Sequence, residues 1–344
     1  MILRSLSLYA FLNAKVRAMA GALLSAEQRD ALARVQRWEE LIAQLLATAY
    51  REAVSLPGPA GNPRLLEKEL LLYDISLHRR ILSASHAGVR ELVFLLLGKY
   101  DLQNFKAALR LWFQPSEREE EFPYLISETI CHPLPIAGLA AASSFDDLLA
   151  LLGDSPYRGP LLGARDAFSK AGNLLPLEIA LDGDYYARLH RGFSSLAAAD
   201  RATARRLLGT EIDIENVKTL IRLREHYRLP LAEILPSLLP HGNRINAEVL
   251  RSLALSADLR QMLTGLAAKS YREIGGFAAQ LHDPAGLSLL ERALEEVLLS
   301  EARAVFRSFP FTIGTILSYL IFKRSETRWL TGVIYSLALA RRTA

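Results

Sequence analysis

Two pairs of cationic residues recur at helical spacing, Lys106 with Arg110 and Lys218 with Arg222. Residues four apart share one face of a helix, so each pair forms a cationic ridge. Such a ridge is either a solvated face or a docking surface for an acidic partner. Asp101 and Asp213 precede the two ridges by the same interval and follow a Leu-Gly or nearby break. A carboxylate there suits the N-cap of a helix, worth about 1 kcal/mol. His78 and His190 have no second histidine three or four residues on, and His-Glu-x-x-His does not occur. No metal site is expected from them. The chain has no Gly-x-x-x-x-Gly-Lys-Ser/Thr loop, no Gly-x-Gly-x-x-Gly and no Gly-x-Ser-x-Gly. Direct nucleotide binding and hydrolase chemistry are therefore not expected. Cys131 adjoins His132, but adjacency alone does not make a thiolate–imidazole dyad, and a buried, inert thiol is expected. The residues point to no catalytic group and no cofactor.

The elements that must position these residues read as helices. Strand signals are scarce, while Leu, Ala, Arg and Glu dominate with apolar residues at helical spacing, as from Glu39 to Tyr50 and from Leu289 to Leu298. Breakers are grouped at Pro57–Pro63, Gln114-Pro115, His132–Pro135, Gly153–Pro160, Pro240–Asn243 and Asp283-Pro284, and mark loops between helices. The chain has 344 residues, 51% hydrophobic and 23% charged, a composition of folded rather than disordered proteins. Its mean hydropathy of +0.14 hints at a deep core or a surface that meets apolar partners. A net charge of +4 over this length makes no nucleic-acid footprint. A single cysteine excludes an internal disulfide framework and suggests a reducing compartment, the cytosol. The first residues read as the opening helix of the fold rather than a signal peptide. The longest apolar stretch, Phe309–Phe322, is closed by Lys323-Arg324 and is shorter than the roughly 20 residues a spanning helix needs, so it reads as a core helix.

One unit is copied three times. Tyr50-Arg51, Tyr157-Arg158 and Tyr271-Arg272 stand at offsets of 107 and 114 residues. Each tyrosine follows a leucine by five residues (Leu45, Leu152, Leu266), and each of these follows another by thirteen (Leu32, Leu139, Leu253). At an offset of 112, Leu77-His78-Arg79 lands on Leu189-His190-Arg191, and Asp101, Asn104, Lys106 and Arg110 land on Asp213, Asn216, Lys218 and Arg222. In the third copy Glu326 takes the Asp213 place. Repetition at this scale suggests an all-α body of three sequence-related helical-bundle modules with pseudo-threefold symmetry, divided as 1–115, 116–228 and 229–344. The repeated leucines are expected in the core. Each Tyr-Arg pair is expected near a helix end, with the ring buried and the arginine reaching last-turn carbonyls or an acidic neighbour.

Three stretches carry a resemblance. Tyr9–Met19 looks like an opening Tyr-x-x-x-(Ala/Asn)-Arg/Lys-Val-Arg-Ala helix. Asp213-Ile214-Glu215-Asn216-Val217-Lys218-Thr219-Leu220-Ile221-Arg222 is similar to Asp-x-x-Asn-Leu-Lys-Thr-Leu-Leu-Arg. Pro310–Leu320, followed by Lys323, Glu326 and Arg328, looks like Pro-x-x-Ile-Gly-x-x-Leu-x-Tyr-Leu and Glu-x-Arg-Asn-Leu-Arg. Together these resemble the family of V-type/A-type ATP synthase C subunits, the prokaryotic counterparts of the vacuolar ATPase d subunits. Trp329 stands where that family usually has Asn, and Thr331 where it usually has Arg, which puts a polar contact of the third module in question.

The resemblance implies a funnel-shaped, non-catalytic rotor adaptor peripheral to the cytoplasmic face of a membrane. Its partners would be the D and F subunits of the central stalk and the membrane proteolipid ring, with no nucleic acid. The funnel's cavity would take the end of the shaft, and Lys106, Arg110, Lys218, Arg222 and Arg328 are the candidate partner-binding residues. A helical-repeat scaffold unrelated to rotary ATPases is the alternative, and a helical enzyme with an unrecognised pocket a third reading.

Overall fold

The computed structural model describes residues 2–55, 61–275 and 284–343, and all regular structure among them is helical. The all-α expectation holds. Among the described residues no helix is long and apolar enough to cross a membrane. The apolar stretch near the end is helical only from Gly314, where the Gly314–Thr343 helix begins; Phe309 ahead of it is exposed, and residues 313–321 are buried without interruption.

Helix starts follow local chemistry. Ser25 opens the Ala26–Ala33 helix with a reciprocal capping box: Gln28 N–H donates to the Ser25 hydroxyl (3.2 Å) and Ser25 N–H to the Gln28 side chain (2.9 Å). Asn62 caps Pro63–Ala84, whose first residue is a proline that has no amide proton to leave unpaired. Asp258 caps Leu259–Lys269 through Gln261 N–H at 2.7 Å. The first helix, Ile2–Ala20, buries Tyr9, Leu12, Val16 and Met19, one stripe at three- and four-residue steps.

The chain forms two compact units. One runs to Leu181 and also takes in the residues from Tyr319 onward. In it, Leu32, Leu41, Leu45 and Tyr50 share a core with Leu330, Ile334 and Leu337, so the first repeat packs on the last helix. The Ala87–Phe113 helix packs against Pro63–Ala84 and Ile136–Ala140. The other unit, Asp182–Ser318, pairs Ala198–Ile221 with Pro284–Arg307, and Ala247–Ala254 with Leu259–Lys269.

The repeated tyrosines sit where the sequence suggests. Tyr50, Tyr157 and Tyr271 are all buried, and Arg51 Nε reaches the Leu46 carbonyl at the end of Trp38–Leu46 (3.0 Å). The aspartates do not. Asp101 and Asp213 lie deep inside Ala87–Phe113 and Ala198–Ile221, not at N-caps. The glycine ahead of each is a helical residue rather than a break. At Gly209 the reason is a close approach: a Cβ there would meet Asn243 at 3.0 Å.

Leu330→Ala empties a fully buried position where the last helix meets the first repeat. It should lower unfolding free energy by about 2–5 kcal/mol in urea titration. Leu339→Ala on the same helix, 64% exposed, should change it by no more than about 0.5 kcal/mol.

Candidate functional site

Each repeated tyrosine donates its hydroxyl to a buried carboxylate, carried for the second and third copies by the preceding repeat. Tyr157 Oη lies 3.0 Å from Asp101 Oδ2, and Tyr271 Oη 2.7 Å from Asp213 Oδ2. Tyr50, in the first repeat, reaches 276 residues forward, to Glu326 Oε1 at 2.9 Å. The last helix is thereby bonded to the first repeat. Tyrosine hydroxyls suit this role because each presents one donor at the end of an apolar ring that packs in the core.

A buried carboxylate needs several donors, and each node finds them differently. At Asp101 the second donor is His132, whose Nδ1 is 2.7 Å from Oδ2. A carboxylate only accepts, so that nitrogen carries a proton. At Asp213 the donors are consecutive backbone amides: Asn243 (3.2 Å) and Arg244 (2.7 Å) to Oδ2, and Ile245 (3.3 Å) to Oδ1. Such a run of amides is a nest for an anion. Only glycine permits it, because a Cβ on Gly242 would lie 1.9 Å from Asp213 Oδ1. Burial pushes the Asp213 carboxyl up to about 6, against the amides and the Tyr271 hydroxyl, which pull it down. Arg244 stacks on the Tyr271 ring, 4.8 Å from its centre, and pairs with Glu273 (2.9 Å) and Glu301.

The Glu326 node is the most charged. Leu24 N–H donates to Oε2 at 2.7 Å, Arg29 reaches the same oxygen at 3.1 Å, and Lys323 Nζ stands 3.4 Å from Oε1. Lys323 is buried, donates to the Tyr50 hydroxyl and lies over the Tyr50 ring at 3.8 Å. Its second carboxylate, Asp74, is 3.7 Å away. Burial lowers the Lys323 pKa, opposed by Asp74 and Glu326. Burial raises Asp74 to about 6, opposed chiefly by Lys323. Burial and the adjacent carboxylates push the Tyr50 and Tyr271 hydroxyls up, so both remain donors.

A second contact repeats beside two of the nodes. The Asn104 amide pairs both ways with Ile126, to the carbonyl at 2.8 Å and from the N–H at 2.9 Å. Asn216 does the same with Leu239, at 2.8 and 2.6 Å. At the third node this position is Trp329, which packs on the core and has Arg29 5.5 Å from its ring centre. The amide clip is replaced by aromatic packing and a cation–π contact.

The candidate partner-binding residues occupy these same helices. Lys106 and Lys218 are half-buried, while Arg110, Arg222 and Arg328 are exposed. Arg110 pairs with Glu178 within the chain, at 3.1 and 2.7 Å, so part of its charge is compensated. Arg222 begins a π-helical turn that continues the Ala198–Ile221 helix. Lys106 and Arg110 belong to the first unit with Arg328, and Lys218 and Arg222 to the second.

Among the described residues no cluster of three metal-ligating side chains occurs. His78 is buried with Nδ1 2.9 Å from the Asp74 carbonyl, and burial lowers its pKa to about 4. His190 stacks on His241 at 3.6 Å. Cys131 is half-buried, with Sγ 3.8 Å from the Phe94 carbonyl. Sequence reasoning does not single out Lys323, Asp74, His132 or Gly242 for these roles. The pairing of tyrosines with carboxylates does leave one trace, since the separations of 56 and 58 residues nearly agree.

A family model described as ATP synthase (C/AC39) subunit matches residues 12–340. Similar relatives carry the name of the C subunit of A-type ATP synthase. That of Methanothermobacter thermautotrophicus is 27% identical over 331 residues, covering 95% of this chain and 83% of the relative. That of Methanocaldococcus jannaschii is 23% identical over 328 residues, covering 95% and 82%. That of Thermococcus kodakarensis is 25% identical over 337 residues, covering 95% and 86%.

Gly242→Ala drives a methyl group into the Asp213 carboxylate and should cost about 1–3 kcal/mol in urea unfolding. A second expectation concerns pH. Asp74 titrates near 3.8 when unconstrained and near 6 when folded. Between these values the folded chain holds a proton that the unfolded chain has released. This group's contribution to stability is thus full below 3.8 and lost as pH climbs through about 6. In Asp74→Asn the fall in urea midpoint between about pH 4.5 and about pH 7 should be smaller than in the parent chain.

Proposed function

Because the chain belongs to the ATP synthase (C/AC39) subunit family, we propose that it is the non-catalytic rotor adaptor of a V/A-type rotary ATPase. In this role it links the D and F subunits of the central stalk to the membrane proteolipid ring and sits peripherally on the cytoplasmic face. Torque from ATP hydrolysis, or from ion flow through the ring, passes through it. The three helical modules, 1–115, 116–228 and 229–344, stand around a pseudo-threefold axis as a funnel whose cavity receives the shaft. Lys106, Arg110, Lys218, Arg222 and Arg328 make contacts to acidic surfaces of the partners.

One observation carries the reading. Glu326, in the last repeat, accepts from Tyr50 and Leu24 of the first, so the repeats are linked end to beginning as well as each to the next. A linked series resists being prised open, which a torque-bearing collar requires. The buried, internally paired chemistry of the nodes also suits a structural part better than a site of turnover. Family membership sets aside a scaffold unrelated to rotary ATPases.

Affinity purification from native membranes in mild detergent, with mass spectrometry of what is retained, tests the proposal. The shaft proteins and the proteolipid should co-purify, with this chain near one copy per complex. A chain that comes off without shaft or ring would overturn the coupling role. In an assembled complex, the double charge reversal Lys218→Glu with Arg222→Glu should lower ion pumping per ATP hydrolysed while hydrolysis persists. Unchanged coupling would remove those two residues from the partner interface.

A further inference from the structure

A hollow of about 240 Å³ opens in the first unit between the Ile2–Ala20 helix, the Pro63–Ala84 helix and the start of the segment from Tyr319 to Lys323. Half of its lining is apolar, from Ala18, Met19, Ala22, Leu23 and Leu77. The remaining lining is Lys15, Arg80, Lys323, Tyr73 and Tyr319, with no acidic residue. Lys323 is itself buried, and its charge is matched by Asp74 and Glu326. The uncompensated positive charge is therefore that of Lys15 and Arg80. Among the described residues neither head group meets a carboxylate. Lys15 Nζ donates to the Arg80 carbonyl at 2.7 Å, which ties the two together. Burial pushes the Tyr73 and Tyr319 hydroxyls up, and the charge of Arg80 works against it at both.

We propose that this hollow binds a small organic anion, with an oxyanion head between Lys15, Arg80 and the tyrosine hydroxyls and an apolar body against Met19, Leu23 and Leu77. Size sets the class. The volume falls below the roughly 300–1,000 Å³ of sites for drug-sized ligands, so the ligand is compact, of the order of an aromatic or short-chain carboxylate. The lining cations and hydroxyls supply charge-assisted hydrogen bonds to the head. The apolar lining gains from removing an apolar body from water. The site does not depend on the adaptor role, since every residue that lines it lies within one unit.

The test is a calorimetric titration of the purified full chain with sodium benzoate. Inorganic phosphate serves as an anion without an apolar body, and benzyl alcohol as the body without a charge. Benzoate should bind at one saturable site with a Kd on the order of 1 mM or tighter, and each control ligand should bind more weakly. The double variant Lys15→Gln with Arg80→Gln should weaken benzoate roughly tenfold or more. Lys170→Gln, at an exposed cation that is not part of the lining, should not. Urea midpoints of both variants, compared with the parent, separate lost binding from lost folding. Absence of saturation, phosphate binding as tight as benzoate, or benzoate binding that survives in a folded double variant would each overturn the proposal.

Discussion

A carboxylate buried in the middle of a helix imposes a severe constraint, because the backbone N–H groups around it are already paired within the helix. Asp101, Asp213 and Glu326 all occupy such positions, so each draws on donors from elsewhere in the chain, Glu326 also on Lys323 of its own helix. A tyrosine from another repeat answers each one. The hydroxyl is worth more here than at a surface, since an unpaired buried carboxylate loses several kcal/mol of solvation. Much else follows from satisfying these three groups. The segment Asn243–Ile245 has to present its backbone amides, Gly242 has to lack a Cβ, and His132 has to carry its proton on Nδ1.

The third node bears a heavier load than the other two, because the chain has to return across 276 residues to make it. It also uses the longer acid, and it adds Lys323, Arg29 and Asp74 where the others rely on neutral donors, a histidine or backbone amides. Two acids against two bases leave the group near neutrality, which is what a buried cluster requires. Trp329 contributes differently again. It gives up the amide clip seen at Asn104 and Asn216 and supplies apolar area to the core that joins the last helix to the first repeat. The third node thus lacks one polar contact that the other two have, while its helix stays packed on the first repeat.

Much of this organisation is legible in the sequence, and the reason is periodicity. Helical spacing marks the elements, and the recurrence of Leu32, Leu45 and Tyr50 marks the repeat. Burial of the tyrosines follows from their apolar neighbours at helical intervals. The partner of Tyr50 is not legible, because a hydrogen bond between residues 276 apart leaves no local trace, and for Tyr157 and Tyr271 only the similar separations of 56 and 58 hint at one. The aspartates read as helix caps only because Gly98 and Gly209 resemble breaks. These glycines are tolerated inside helices here, and at Gly209 the space serves the approach of Asn243. Spacing places the cationic ridges on helices correctly, but the pairing of Arg110 with Glu178 depends on tertiary packing that spacing does not encode.

The wrap-around bond is the central element of this account, and a double-mutant cycle measures it directly. Tyr50→Phe, Glu326→Gln and the double variant would be compared with the parent chain in urea unfolding. Both substitutions keep shape and remove either the donor or the charge. The account predicts a coupling energy of about 1–3 kcal/mol between them, the range for a hydrogen bond to a buried charged group. Effects that add to within about 0.5 kcal/mol would contradict it and show that the Tyr50–Glu326 bond does not help to hold the first repeat to the last helix.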